Sequence, residues 1–133
     1  GCKGFVAVTA GTYNLSTKGT LFKKQSAGAS QTVSGITVTC AIDSKGANLK
    51  INAGEVSFVI SSAMTLKFTD STSKGVIIST SDGYVGAEGT TTSEKLGADG
   101  AEVSITLGAG SYRIAGATSS SAKIATLTFA EIE

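Results

Sequence analysis

Histidine, proline and tryptophan are absent from this chain, and methionine occurs once. Without histidine there is no Ser-His-Asp or Cys-His catalytic set, no imidazole general base and no histidine-held zinc. Two cysteines are too few for a four-cysteine zinc site or an iron–sulfur cluster. Arg113 is the single arginine, so no arginine cluster can clamp an anion. A net charge of +1, with no basic stripe carrying interleaved aromatics, excludes nucleic acid as the expected partner. No apolar run approaches the ~20 residues that cross a bilayer, so no membrane partner is expected. No basic segment followed by an apolar stretch opens the chain, which reads as a mature protein or as a piece cut from a longer one.

What the chain has in abundance is small residues. Gly, Ala, Ser and Thr fill 70 of its 133 positions. With 41% hydrophobic and 16% charged residues it can still bury a core. The hydrophobic period is two. Ile36, Val38, Cys40 and Ile42 alternate with Thr37, Thr39, Ala41 and Asp43. The same holds for Val56/Phe58/Ile60, Met64/Leu66/Phe68 and Val103/Ile105/Leu107. Each run reads as a strand with one apolar face and one Thr/Ser-rich face. Turn signals such as Ser44-Lys45-Gly46, Ser73-Lys74-Gly75, Ser81-Asp82-Gly83 and Gly108-Ala109-Gly110 separate the runs. Strands are expected near 5–9, 11–16, 20–25, 35–43, 47–53, 55–61, 64–70, 75–80, 101–107, 111–117 and 123–132, with one of the first three irregular. No segment has a 3.6-residue period. The expected fold is a single all-β, jelly-roll-like antiparallel sandwich over 1–133, because strand patterns at both termini can pair with each other. Residues 84–98, polar and Gly-rich, read equally as a long loop or an exposed edge strand.

Catalytic chemistry finds little footing. The closest carboxylate pair is Glu131 and Glu133, which reads as a solvated terminus. Asp82, Glu88, Glu94, Asp99 and Glu102 are scattered over turns and edges. The expectation is no enzyme, no catalytic residue, no cofactor and no metal. The loops that could supply oxygen ligands to a structural calcium begin at Asp70, Asp82 and Asp99, and none has the spaced acids of a calcium loop. Cys2 and Cys40 admit two readings: a disulfide tying the first strand to a core strand, or a buried small hydrophobe beside a loose-ended thiol.

A basic surface remains. Residues 1–79 carry a balance of +5 and residues 80–133 one of −4. Lys67 lies between Thr65 and Thr69 on the polar side of its strand, Arg113 is out of phase with Tyr112 and Ile114, and Lys50 lies between Leu49 and Ile51. All three therefore point outward, while Lys74 sits in a turn and Lys123 opens the last strand. With no tryptophan, a flat aromatic platform for a neutral polymer is not available. Lysine and arginine can instead meet uronate carboxylates, with Ser and Thr hydroxyls between them. Lone lysines on strand faces also serve simply to keep edges soluble.

Residues 55–133 carry a resemblance. The run Val56-Ser-Phe-Val-Ile-Ser-Ser-Ala-Met-Thr-Leu-Lys-Phe68, then Gly75-Val-Ile-Ile78, then Val103-Ser-Ile-Thr-Leu-Gly-Ala-Gly-Ser-Tyr-Arg-Ile114, then Ile124-Ala-Thr-Leu-Thr-Phe129 resembles the β-sandwich modules appended to secreted bacterial pectate lyases. The family is the homogalacturonan-binding carbohydrate-binding module family seventy-seven. The resemblance implies a secreted, non-catalytic, monomeric module of a larger multimodular protein, binding the acidic plant cell-wall polysaccharide homogalacturonan through basic side chains on a sheet face. It also implies that the strands at 64–68, 76–78 and 112–114 share one sheet, with Lys67 and Arg113 together on its outer face and Lys74 at the rim. The candidate ligand-binding set is thus Lys67, Arg113, Lys74, Lys50 and Lys123. A structural spacer or adhesin-like sandwich is the alternative for a surface so rich in Ser, Thr, Gly and Ala.

Overall fold

The computed structural model describes residues 7–16, 20–26, 28–42, 49–51, 54–70, 72, 74–80, 83–85, 96–98, 100–116 and 122–132, with 49–51 and 83–85 described by backbone and register. Thirteen strands follow in chain order: β1 (Gly11–Asn14), β2 (Gln31–Val33), β3 (Ile36–Val38), β4 (Ala41–Ile42), β5 (Leu49–Ile51), β6 (Val56–Ile60), β7 (Met64–Thr69), β8 (Val76–Thr80), β9 (Gly83–Val85), β10 (Glu102–Leu107), β11 (Gly110–Gly116), β12 (Ala122–Ile124) and β13 (Thr126–Glu131). The described pairings are all antiparallel. They build a four-stranded sheet β1-β13-β7-β10, a six-stranded sheet β2-β3-β6-β11-β8-β9 and a small sheet β12-β5-β4. The fold is the expected all-β sandwich. Its terminal strands do pair, Tyr13 facing Leu127 and Asn14 facing Thr126.

The period-two pattern explains how the two large sheets meet. Met64, Leu66 and Phe68 of β7 are buried, as are Tyr112 and Ile114 of β11, and their alternate residues face outward. The inner faces interlock through aromatic rings. Phe58 of β6 meets Phe129 of β13 edge-on at 5.1 Å between centroids and stacks on Tyr112 at 5.7 Å, while Tyr13 meets Phe129 at 5.9 Å. Such contacts add stability beyond the area they bury. Tyr112 is a core residue, as its phase predicts. Its hydroxyl donates to Gly108 O at 2.9 Å, so the polar tip is satisfied at the sandwich edge.

Several strands differ from expectation, each for a local reason. The expected strand at 35–43 divides at Thr39-Cys40 into β3 and β4, which lie in different sheets. The break is held by Gln25, whose amide donates to Val38 O, Cys40 O and Ala29 O. That contact is also why the expected strand at 20–25 is irregular, leaving only a Gln25–Ile42 bridge. The expected strand at 5–9 is not one over its described residues 7–9, although Val8 is buried and its N–H donates to Val59 O at 2.8 Å. Strand β2 was not anticipated. It forms because Ser34 and Gly35 take φ of 54° and 86°, the left-handed pair that closes a two-residue hairpin. The last expected strand divides at Ala125. From Thr128↔Lys67 to the Ile124–Asp70 bridge, one chain advances four residues and the other three. One extra residue is therefore absorbed as a bulge, which re-aims everything before it. Residues 83–85 form an edge strand, and Leu96 bridges Val76.

Candidate functional site

The expected pairing of Lys67 with Arg113 on one face is not what the fold builds. β7 belongs to the four-stranded sheet, whereas β8 and β11 are neighbours in the six-stranded sheet. Both side chains are exposed and both point outward, so they occupy opposite outer faces of the sandwich. The cause is the loop between Asp70 and Gly75. It carries the chain from one sheet to the other instead of turning it back as a hairpin.

Asp70 builds that crossover. It is fully buried at the end of β7. Its Oδ1 accepts from Thr72 N at 2.8 Å, Thr72 Oγ1 at 2.7 Å and Lys123 N at 3.0 Å, and its Oδ2 accepts from Gly75 N at 2.7 Å. Burial pushes its carboxyl pKa up, but these hydrogen bonds outweigh burial and hold it below the usual value. Both Asp70 oxygens are thus engaged by N–H and O–H donors of the protein itself. Asp82 and Asp99 lie outside the described residues, as do Glu88, Glu94, Glu133, Lys45 and Cys2. Glu131 is exposed, as expected of a solvated terminus, and is a ladder partner of Met64. Cys40 is buried with a free thiol, and burial pushes its pKa up to about 11.

Two of the five candidate cations lie in the small sheet, and a third is linked to it through backbone hydrogen bonds. Lys50 and Lys123 are direct register partners on β5 and β12, which places them on one face, beside Ala41 of β4. Directly opposed residues in an antiparallel pair have Cβ atoms ~5 Å apart. Lys74 is exposed in the crossover loop, next to Gly75. The Lys74 N–H donates to Thr72 Oγ1, so the same Asp70-centred network fixes the backbones of Lys74 and Lys123. Among the described residues, no carboxylate pairs with either ammonium group.

Arg113 occupies a different setting. On the outer face of the six-stranded sheet, ladder partners run Thr32, Thr37, Ser57, Arg113, Ser79 and Tyr84, one from each strand. It is the one cation of that row. Thr32 and Thr37 bond each other at 2.8 Å. Thr32 also lines an open groove of about 540 Å³ with Lys23, Lys24 and Gln31. Gln31 ties that groove together, accepting from Lys23 N and donating to Lys23 O and Gln25 Oε1. These two lysines are a basic edge that strand phase alone did not single out. The consecutive Lys23-Lys24 pair was the available signal.

Lys67 lines a second groove, of about 430 Å³, on the opposite outer face. Phe68, Thr69, Glu102, Ala125, Thr126 and Thr128 complete it. Among the described residues there is no group of three or more His, Cys, Asp or Glu side chains able to hold a metal ion.

No family model and no curated protein matches the chain. One solved structure is similar, with a TM-score of 0.51 and 19% identity over 98% of this chain and 99% of that one. It comes from work describing how the complexity of the Ruminococcus flavefaciens cellulosome reflects an expansion in glycan recognition. At this identity the likeness establishes the shared fold.

Proposed function

We propose that this domain is a non-catalytic carbohydrate-binding module that holds homogalacturonan on the face carrying Lys50, Lys123 and Lys74. The observation that carries this reading is the Lys50↔Lys123 register pair. Like charges directly opposite each other destabilise a sheet. A uronate carboxylate laid between two ammonium groups turns that cost into charge-assisted hydrogen bonds. Lys74 extends the basic surface toward the next carboxylate of the polymer. The Asp70 network fixes the Lys123 backbone before any ligand arrives, which lowers the entropy lost on binding. The structural likeness to a protein from a glycan-recognition context agrees with this reading, as does the resemblance of residues 55–133 to pectin-binding modules. On the same reading the module is one unit of a larger secreted bacterial protein, acts outside the cell as a monomer and needs no cofactor.

Affinity electrophoresis in gels containing low-ester pectin, alginate, xylan or no polymer tests the proposal. Pectin should retard the protein, and Lys123→Ala should abolish most of the retardation. Equal migration in every gel would remove the binding function and leave a structural spacer. Release of unsaturated or reducing ends from pectin would overturn the non-catalytic reading.

A further inference from the structure

We propose a second glycan site, for neutral pyranose chains, in the Lys67 groove on the outer face of the four-stranded sheet. It goes beyond the acidic-polymer reading and does not need that reading to hold. The groove arises from the bulge. Where β12 gives way to β13, the extra residue is Ala125, whose small side chain leaves a hollow between β13 and β7. Its volume of about 430 Å³ suits a short stretch of sugar.

The polar groups in it are of both signs. Lys67 stands in a row with Thr12, Thr128 and Ser104, one residue from each strand of the sheet. Glu102 lies diagonally across from it, as the ladder partner of Thr69. Lys67 and Glu102 are both exposed, and they form no ion pair with each other. One groove thus offers an unengaged donor, an unengaged acceptor and the Thr69, Thr126 and Thr128 hydroxyls. Adjacent ring hydroxyls of a pyranose need this combination, since each both gives and takes a hydrogen bond. The methylene stem of Lys67 and the Ala125 methyl supply apolar contact for ring C–H groups. Glu102 opposes any carboxylate placed here. A uronate polymer is therefore disfavoured in this groove, whereas the Lys50/Lys123 face attracts one. The two loci would let one module hold an acidic and a neutral polymer together.

The test is a titration of isotope-labelled protein, followed by amide chemical shifts, with cellohexaose, xylohexaose and β-1,4-galactohexaose, and in a separate arm with tetragalacturonate. At least one neutral oligosaccharide should shift the amides of Lys67 to Thr69, Glu102 and Ala125 to Thr128. Lys67→Ala and Glu102→Gln should each weaken that binding roughly tenfold, the equivalent of one hydrogen bond to a charged group. Lys123→Ala should leave it unchanged. The inference is overturned if all three neutral sugars leave these amides unmoved, if tetragalacturonate alone moves them, or if neither groove substitution weakens binding. Loss of tetragalacturonate binding in Lys123→Ala reports on the acidic face only, so the two readings fail separately.

Discussion

Asp70 and the Lys50–Lys123 pair lie on neighbouring strands, and the fold treats their charges in opposite ways. The carboxylate is fully buried and takes four hydrogen bonds from three residues, Thr72 and Gly75 of its own loop and Lys123 of β12. The lysines are set directly against each other, and the Lys123 ammonium has no carboxylate partner among the described residues. A buried charge survives only when the protein itself supplies its partners, and removing those partners costs structure. A like-charge pair set opposite each other in a ladder gains nothing from its own partner, and an anion from outside would relieve the repulsion. The Asp70 charge serves the architecture, whereas on the proposed function the lysine charges serve recognition.

Asp70→Ala should break that contrast most severely. It orphans the N–H groups of Thr72, Gly75 and Lys123 and should cost roughly 3 kcal/mol or more in urea unfolding. Asp70→Asn, which keeps one acceptor oxygen, should cost about half as much. Acid acts on the same group. Folded Asp70 ionises below its usual value, so its contribution is complete above a pH of about 4 and is lost as pH falls through the folded pKa. Urea midpoints at successively lower pH should fall in the parent protein and change less in Asp70→Asn. On the lysine side, Lys123→Ala should weaken oligogalacturonide binding about 10- to 100-fold by calorimetry, with stability nearly unchanged. The same titration in rising salt should lose affinity steeply, because exposed charges are screened over ~8 Å at physiological ionic strength. Arg113→Ala, on a face with no second cation in its row, should change oligogalacturonide affinity the least. A loss equal to that of Lys123→Ala would move the acidic site to the six-stranded sheet.

Facing was legible in the sequence wherever residues alternated apolar and polar, even at Ile36–Ile42, where the alternation continues through a break between two strands. The inward set Met64, Leu66, Phe68, Tyr112 and Ile114 and the outward set Lys67 and Arg113 follow from phase alone. Sheet membership was not legible. Asp70-Ser-Thr-Ser-Lys-Gly75 has the composition of a hairpin turn, and only the placement of the Asp70 carboxylate shows that it crosses between sheets. The acceptor capacity of Asp70 is taken up by three backbone N–H groups and the Thr72 hydroxyl, a role its place in a turn-like run did not signal. Strand β2 is three residues long and too short for a periodic signal, although Ser34-Gly35 between Val33 and Ile36 carried its hairpin. The bulge at Ala125 escaped because one residue of slippage leaves no compositional trace. It sets the facing of Lys123, and with it the candidate site on β12.

The β1–β13 ladder has a kinetic consequence. Its residues, such as Thr12 and Thr128, are separated by 116 positions in the chain. The Ser34-Gly35 hairpin joining β2 to β3 closes within a few residues and can form on its own in microseconds. The closing ladder must wait until nearly the whole chain has been gathered, and it pays the loop entropy of that separation before gaining any contact. Folding should accordingly fall in the slow, millisecond-to-second range of non-local β topologies, with the β1 edge joining late.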